Sequence, residues 1–212
     1  ACKKAKIDFF TAPYDFDYID KINKYVPAYK IGSGDITWND ALIRIAKKNK
    51  PIFLAIGASS IKDVKRAFKI ITKINNKICL MQCNTNYTGK IENLKFINLN
   101  ILKQFKKIFP KAILGLSDHT PGHATVLGAI ALGARVVEKH FTYSNKAEGP
   151  DHAFSMNSKS WREMIDRSRE LELSLGTSDK KVESNEKETV MVQRRSAHLL
   201  KNMKKNEKIP KE

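Results

Sequence analysis

Cysteine, long apolar runs and acidic charge are what this sequence has least of. It has three cysteines in 212 residues, Cys2, Cys79 and Cys83. An odd number with no CxxC pair speaks against a disulfide framework and against a zinc knuckle. Cys79 and Cys83 share one strand-like run, where residues spaced ~3.3 Å apart leave ~13 Å between them, too far for a shared bond or metal. They read as buried thiols in a reducing compartment. No apolar run approaches the ~20 residues of a membrane span, and no basic-then-apolar leader opens the chain. The expectation is a soluble, cytoplasmic protein that does not contact membranes.

Acids number 22 against 39 lysines and arginines, for a formal net charge of +17. Such an excess raises nucleic-acid binding as a possibility. The lysines, however, are scattered along every predicted helix, with no aromatic-basic interleaving and no nucleic-acid motif. A solvated lysine-rich surface is the better reading, and its field favours an anionic small substrate. With 42% hydrophobic residues the chain can bury a real core.

Six short apolar runs recur: Ile7 to Phe10, Tyr29 to Ile31, Ile52 to Ile56, Ile78 to Gln82, Ala112 to Leu116 and Arg135 to His140. Between them, Trp38 to Lys48, Ile61 to Ile74, Leu94 to Phe109 and Ala124 to Gly133 carry apolar residues at helical spacing. Alternating β and α units predict a parallel sheet with crossover helices. A last helix is predicted over Ser160 to Leu175, with Ser160 as its cap and Gly176 as its stop. Thr177 to Glu188 is polar and reads as a linker, after which Val190 to Val192 and Arg194-Arg195-Ser196 open something new. The expected division is residues 1–176 and 177–212. Six strands are two short of a closed eight-stranded barrel, so the expectation is a fragment lacking two βα units in front and most of a second domain behind.

The chemistry concentrates in two segments, Gly115-Leu116-Ser117-Asp118-His119-Thr120-Pro121-Gly122 and Glu138-Lys139-His140-Phe141-Thr142. Each follows a predicted strand. In a β/α barrel the strand ends share one face, so His119 and His140 would converge. Two neutral imidazoles with oxygen ligands suit a divalent transition ion with open positions. A lone histidine ordinarily does no more than hydrogen-bond within its loop, and for these two that reading stays open beside the metal. His119 and His123 have i, i+4 spacing, but Pro121 and Gly122 between them argue against a helical zinc pair and make His123 a loop or helix-start residue. Tyr29-Lys30-Ile31-Gly32-Ser33-Gly34-Asp35 adds a lysine, a hydroxyl and a carboxylate at another strand end, donors suited to phosphate or carboxylate; a turn with a surface lysine is the alternative. The spacing is not that of a dinucleotide-binding loop.

Together Lys30 to Asp35, Cys83-Asn84-Thr85-Asn86-Tyr87, Gly115 to Thr120, Glu138 to Thr142, Gly149-Pro150-Asp151 and Ser155-Met156-Asn157 resemble the sialic acid synthase family, in order, from about Phe9 to Ser196. The resemblance implies a partial (β/α)8 TIM-type barrel, about strands 3 to 8, followed by a linker and the start of an antifreeze-like domain, usually within a domain-swapped homodimer. It implies condensation of phosphoenolpyruvate with an N-acylmannosamine-type sugar to a nonulosonic acid plus phosphate, with a legionaminic-type sugar or an inactive barrel fragment as alternatives. It also implies a divalent metal, most often manganese, otherwise magnesium or cobalt, on His119 and His140. Lys30, Ser33 and Ser117 would bind phosphoenolpyruvate, Thr85 would fall at the amide or hydroxyl position of its strand end, and Tyr87 would line the sugar pocket. Asp35 and Asp151 would be the catalytic carboxylates, Asp151 orienting water or sugar. The chain departs from the family pattern at Asp35, where most relatives carry glutamate, at Ala55 in place of a phosphate-contacting serine, and at Ala12, where Thr11 stands beside the expected threonine. The family's front glutamate and lysine have no counterpart here, and the sugar-contacting arginine would lie beyond Glu212.

Overall fold

Five short strands supply the frame: β1 Tyr29–Ile31, β2 Ile52–Ala55, β3 Ile78–Cys83, β4 Ile113–Asp118 and β5 Val136–Lys139. In the computed structural model, which describes residues 1–209, they form one parallel sheet in the order β1-β2-β3-β4-β5. Helices precede, connect and follow them: α1 Cys2–Ala5, α2 Phe16–Ile22, α3 Asn39–Ala46, α4 Ile61–Thr72, α5 Ile101–Ile108, α6 Ala124–Ala131, α7 Ser158–Leu175 and α8 Lys187–Gln193. The chain divides into a first unit, Ala1–Gly176, and a second that begins at Thr177.

Parallel strands are covered on both faces and so read as continuous apolar runs, as β2 and β3 do here. Pairing in register, Ile31 with Leu54, Leu54 with Leu80 and Leu80 with Leu114, builds an outward row against the helices. Leu54, Leu80 and Leu116 are fully buried there with Leu42, Ala67, Leu102 and Ala129 of the helices. Each such leucine contributes roughly 1.5–3 kcal/mol by leaving water. The alternate residues, Lys30, Phe53, Ala55, Cys79, Met81, Cys83, Gly115, Ser117 and Glu138, face the inside of the sheet. Gly115 is required there. A Cβ would stand 2.9 Å from the Val136 carbonyl oxygen and 3.0 Å from Cys79 Sγ and Met81 Cγ.

The sheet is strongly curved. In a flat sheet, β1 and β5 would lie ~19 Å apart, beyond the combined reach of a lysine and a glutamate. Yet Lys30 Nζ of β1 is 3.1 Å from Glu138 Oε2 of β5. This is the curvature of a half-barrel.

The helix starts show where local chemistry wins. Ser60 caps α4 and exchanges bonds with Asp63 in a full capping box. At α7 the cap is Asn157 rather than Ser160: the Asn157 side chain accepts from the Ser160 backbone N–H, and the helix begins at Ser158. Asn and Ser cap comparably, and here the asparagine precedes.

Two further expectations need correction. Ile7 to Phe10 is no strand. It is irregular and solvent-facing, with Ile7 62% and Phe9 50% exposed. The neighbouring residue Thr11 takes one β1 bond, from the Lys30 N–H. An apolar run alone does not provide a ladder partner, and five strands form where six were expected. The stretch from Leu94 to Phe109 is also not one helix. A 3₁₀ turn at Ile91–Phe96 precedes α5, and Asn98 with φ +52° breaks the helix between them.

The second unit holds a short 3₁₀ turn, Ser184–Glu186, and α8. Among its described residues there is no strand and no buried residue. Met191 and Val192 are each 84% exposed.

Candidate active site

At the C-terminal ends of the strands the curved sheet encloses a cavity of about 470 Å³. Its wall includes Lys30, Ser33, Tyr87, Ser117, His119 and His140, together with Glu138 and Cys83. Strand alternation explains the set. Ser117 and His119 are two residues apart at the end of β4, as are Glu138 and His140 at the end of β5, so each pair points inward.

The two histidines meet. Their ring centroids are 5.1 Å apart. His119 Nδ1 lies 2.7 Å from the Asn84 carbonyl oxygen. A carbonyl can only accept, so that nitrogen carries the proton and Nε2 keeps its lone pair. Burial lowers the His119 pKa, favouring the neutral ring. His140 Nδ1 lies 3.3 Å from Asp151 Oδ2, which likewise leaves Nε2 as the remaining nitrogen. A ring held at Nδ1 by an oxygen acceptor is how proteins present histidine to a metal. The donor chemistry therefore fits a divalent ion, although among the described residues no group of three or more His, Cys, Asp or Glu is arranged to hold one. Tyr87 covers the pair, with its ring centroid 4.1 Å from that of His119 and 5.8 Å from that of His140. Phe154 closes the other side of His140 at 5.2 Å.

The anion-facing side is built from β1 and the turn after it. Lys30 is held by Glu138. Ser33 Oγ accepts from the Gly57 N–H at 2.9 Å. Cys83 lies against the Ser33 and Ser117 hydroxyls, and burial raises its pKa. Three of the anticipated residues stand off the cavity wall. Asp35 is half-buried in the 3₁₀ turn Ser33–Thr37, and burial raises its carboxyl pKa against the opposing pull of Lys30. Thr85 turns its methyl toward Gly57, 2.6 Å from where a Cβ would stand. Asp151 acts on His140, whereas the sequence suggested water or sugar as its partner.

Residue-by-residue reading of the motifs missed Glu138 as the partner of Lys30, since that pair depends on sheet curvature. It also missed Asp118 and Lys139, which form a buried ion pair at 2.8 Å on the outer face. Their signal was present in the alternation Ser117-Asp118-His119 and Glu138-Lys139-His140, which puts a charge on the helix-facing side of each strand.

Comparison with known proteins agrees with this architecture. The NeuB family model matches residues 1–180. An uncharacterized protein of Methanocaldococcus jannaschii is 38% identical over 207 residues, 97% of this chain and 60% of the relative. The N,N'-diacetyllegionaminic acid synthase of Campylobacter jejuni is 34% identical over 209 residues, 97% of this chain and 61% of the relative. The crystal structure of the N-acetylneuraminic acid synthetase from Leptospira borgpetersenii superposes with a TM-score of 0.81 at 25% identity, covering 90% of this chain and 66% of that one. The chain thus spans about three fifths of the length of the curated relatives it matches. With a family match over most of its length and the same half-barrel, the chain belongs to the NeuB family of sialic acid synthases and their relatives.

Proposed function

We propose that this chain forms the phosphoenolpyruvate- and metal-binding half of a nonulosonic acid synthase, which joins phosphoenolpyruvate to an N-acylated amino sugar and releases phosphate. The observation that carries the reading is the meeting of Lys30, Ser33 and Ser117 with His119 and His140 around one cavity. Lys30 supplies the fixed positive charge for the phosphate or carboxylate of phosphoenolpyruvate. In the free protein Glu138 holds that ammonium in place, so an incoming anion meets a lysine already aimed into the cavity. The Ser33 and Ser117 hydroxyls donate to the same anion. Tyr87 offers an aromatic face to the sugar.

His119 and His140 are the residues that would hold a divalent ion, manganese by preference and otherwise magnesium or cobalt. Bound there, such an ion supplies Lewis acidity toward the sugar carbonyl that the enol carbon of phosphoenolpyruvate attacks. The Asn84 carbonyl keeps a proton on His119 Nδ1, and Asp151 Oδ2 stands 3.3 Å from His140 Nδ1, so each ring is fixed in direction by an oxygen at that nitrogen. Asp35 sits in the turn that follows β1, where burial favours its protonated form and the charge of Lys30 opposes that.

The test is phosphate release from phosphoenolpyruvate by the full-length protein with manganese, offered N-acetylmannosamine and, separately, a diacetamido sugar of the legionaminic type. Release that depends on one of these sugars supports the proposal and names the substrate. Release with neither overturns it.

A further inference from the structure

Asp118 and Lys139 are nearly inaccessible, with side chains 1% and 2% exposed, and the proposed chemistry uses neither. They are direct partners in the β4–β5 ladder, and each immediately precedes one of the two site histidines. Alternation sends both side chains outward, beneath α6, while the residues on either side of them face the cavity.

Every polar atom of the pair is engaged. Lys139 Nζ donates to Asp118 Oδ2 at 2.8 Å, to the Thr120 carbonyl at 2.6 Å and to the Gly122 carbonyl at 2.9 Å. Asp118 in turn accepts from the Thr125 hydroxyl at 2.6 Å, the Thr120 hydroxyl at 3.0 Å and the Thr120 N–H at 3.1 Å. Thr125 belongs to the first turn of α6. One ammonium thus ties the end of β5 to the end of β4, to both sides of the Pro121 turn and, through the carboxylate, to α6. His119 is the residue enclosed by these ties.

We propose that the Asp118–Lys139 pair is a positioning device that holds His119 and His140 at the separation one divalent ion needs. The inference rests on the metal reading given above. A buried pair of this kind is a poor source of net stability, because desolvating two charges offsets much of their attraction. Its lysine and carboxylate instead specify one geometry, because each spends its bonding capacity on backbone and hydroxyl groups of the histidine loop. Loss of a group that hydrogen-bonds a metal-binding histidine directly weakens metal affinity 10–100-fold, and this pair acts on the same ring orientation one step back, through the backbone of the histidine loop.

The experiment compares the full chain with Lys139→Met, with the double substitution Asp118→Asn/Lys139→Met, which removes both charges at nearly constant shape, and with Thr125→Val. Two readouts are taken: Mn2+ affinity by paramagnetic resonance of the free ion, and the His119 Nδ1–H proton by NMR in the metal-free protein. His140→Ala serves as the non-binding control. The expected result is 10–100-fold weaker Mn2+ binding in the Lys139 single and double variants, with a shifted or rapidly exchanging His119 Nδ1–H. Thr125→Val, which keeps both charges, should lose severalfold, and its two readouts decide the matter if the charge variants fail to fold. Wild-type affinity and an unmoved Nδ1–H in the folded variants would overturn the proposal. If the unsubstituted chain binds no Mn2+, the metal reading falls, and the Nδ1–H readout alone decides whether the pair positions the ring.

Discussion

Lys30 and Glu138 stand on the first and last strands of a five-stranded sheet, and their charged atoms are 3.1 Å apart. Three strands separate them in the hydrogen-bonded order, so the contact exists only because the open sheet is strongly curved. The pair marks the width of the cavity and connects its anion-facing side to the strand that carries His140.

Replacing Lys30 by alanine should raise the KM for phosphoenolpyruvate roughly ten- to a hundredfold, the ~1.5–3 kcal/mol of one charge-assisted contact. The KM for the sugar should change little. Steady-state kinetics with each substrate varied in turn checks this, and an effect confined to the sugar would remove Lys30 from the anion site.

His140→Ala should abolish turnover without unfolding the half-barrel, because the side chain is 29% exposed and its loss enlarges a pre-existing cavity. Circular dichroism melting should stay near that of the parent chain while phosphate release disappears. Near-normal rates with added manganese would show that the ion is held elsewhere.

Gly115→Ala should destabilise the first unit by ~1–3 kcal/mol, the usual cost of overpacking. The added methyl would press on the Val136 carbonyl, which belongs to β5 and cannot withdraw without straining the β4–β5 ladder. Urea unfolding monitored at Trp38 and Trp161 measures the change, and an unchanged midpoint would mean that the two strands separate more easily than their register implies.

Thiol reactivity should divide sharply. Burial pushes the Cys79 pKa up to about 12, so at pH 8 only about one molecule in ten thousand carries the thiolate. Iodoacetamide at pH 8 should label Cys2, which is partly exposed, and leave Cys79 unmodified until the chain unfolds. A rise to pH 9 increases the Cys79 thiolate tenfold, still to a negligible fraction, so mass spectrometry should find it protected there too. Early labelling of Cys79 would show that the inner face of the sheet opens readily.

A great deal of this protein is legible in one dimension. Apolar runs at Tyr29, Ile52, Ile78, Ala112 and Arg135 mark the five strands because parallel strands, buried on both faces, need unbroken hydrophobicity. Helical spacing between them marks the crossovers, and the residues just after each strand carry the chemistry because strand ends share a face. His119 and His140 could be named on that basis alone, and Lys30 as a strand-end cation, whereas the role of Ser117 comes from the family resemblance.

Other features waited for the third dimension. The run Ile7 to Phe10 has strand composition but no ladder, because pairing is a property of two segments and composition belongs to one. Asn157 takes the cap of α7 from Ser160 because a cap is defined by where the backbone turns helical. Local sequence shows that Glu138 and Lys139 are charged, and alternation shows that they point to opposite sides of β5. Only curvature decides that Glu138 reaches Lys30 across three strands, and only burial beneath α6 turns Lys139 from one more surface lysine in a basic chain into the centre of a hydrogen-bond network around His119.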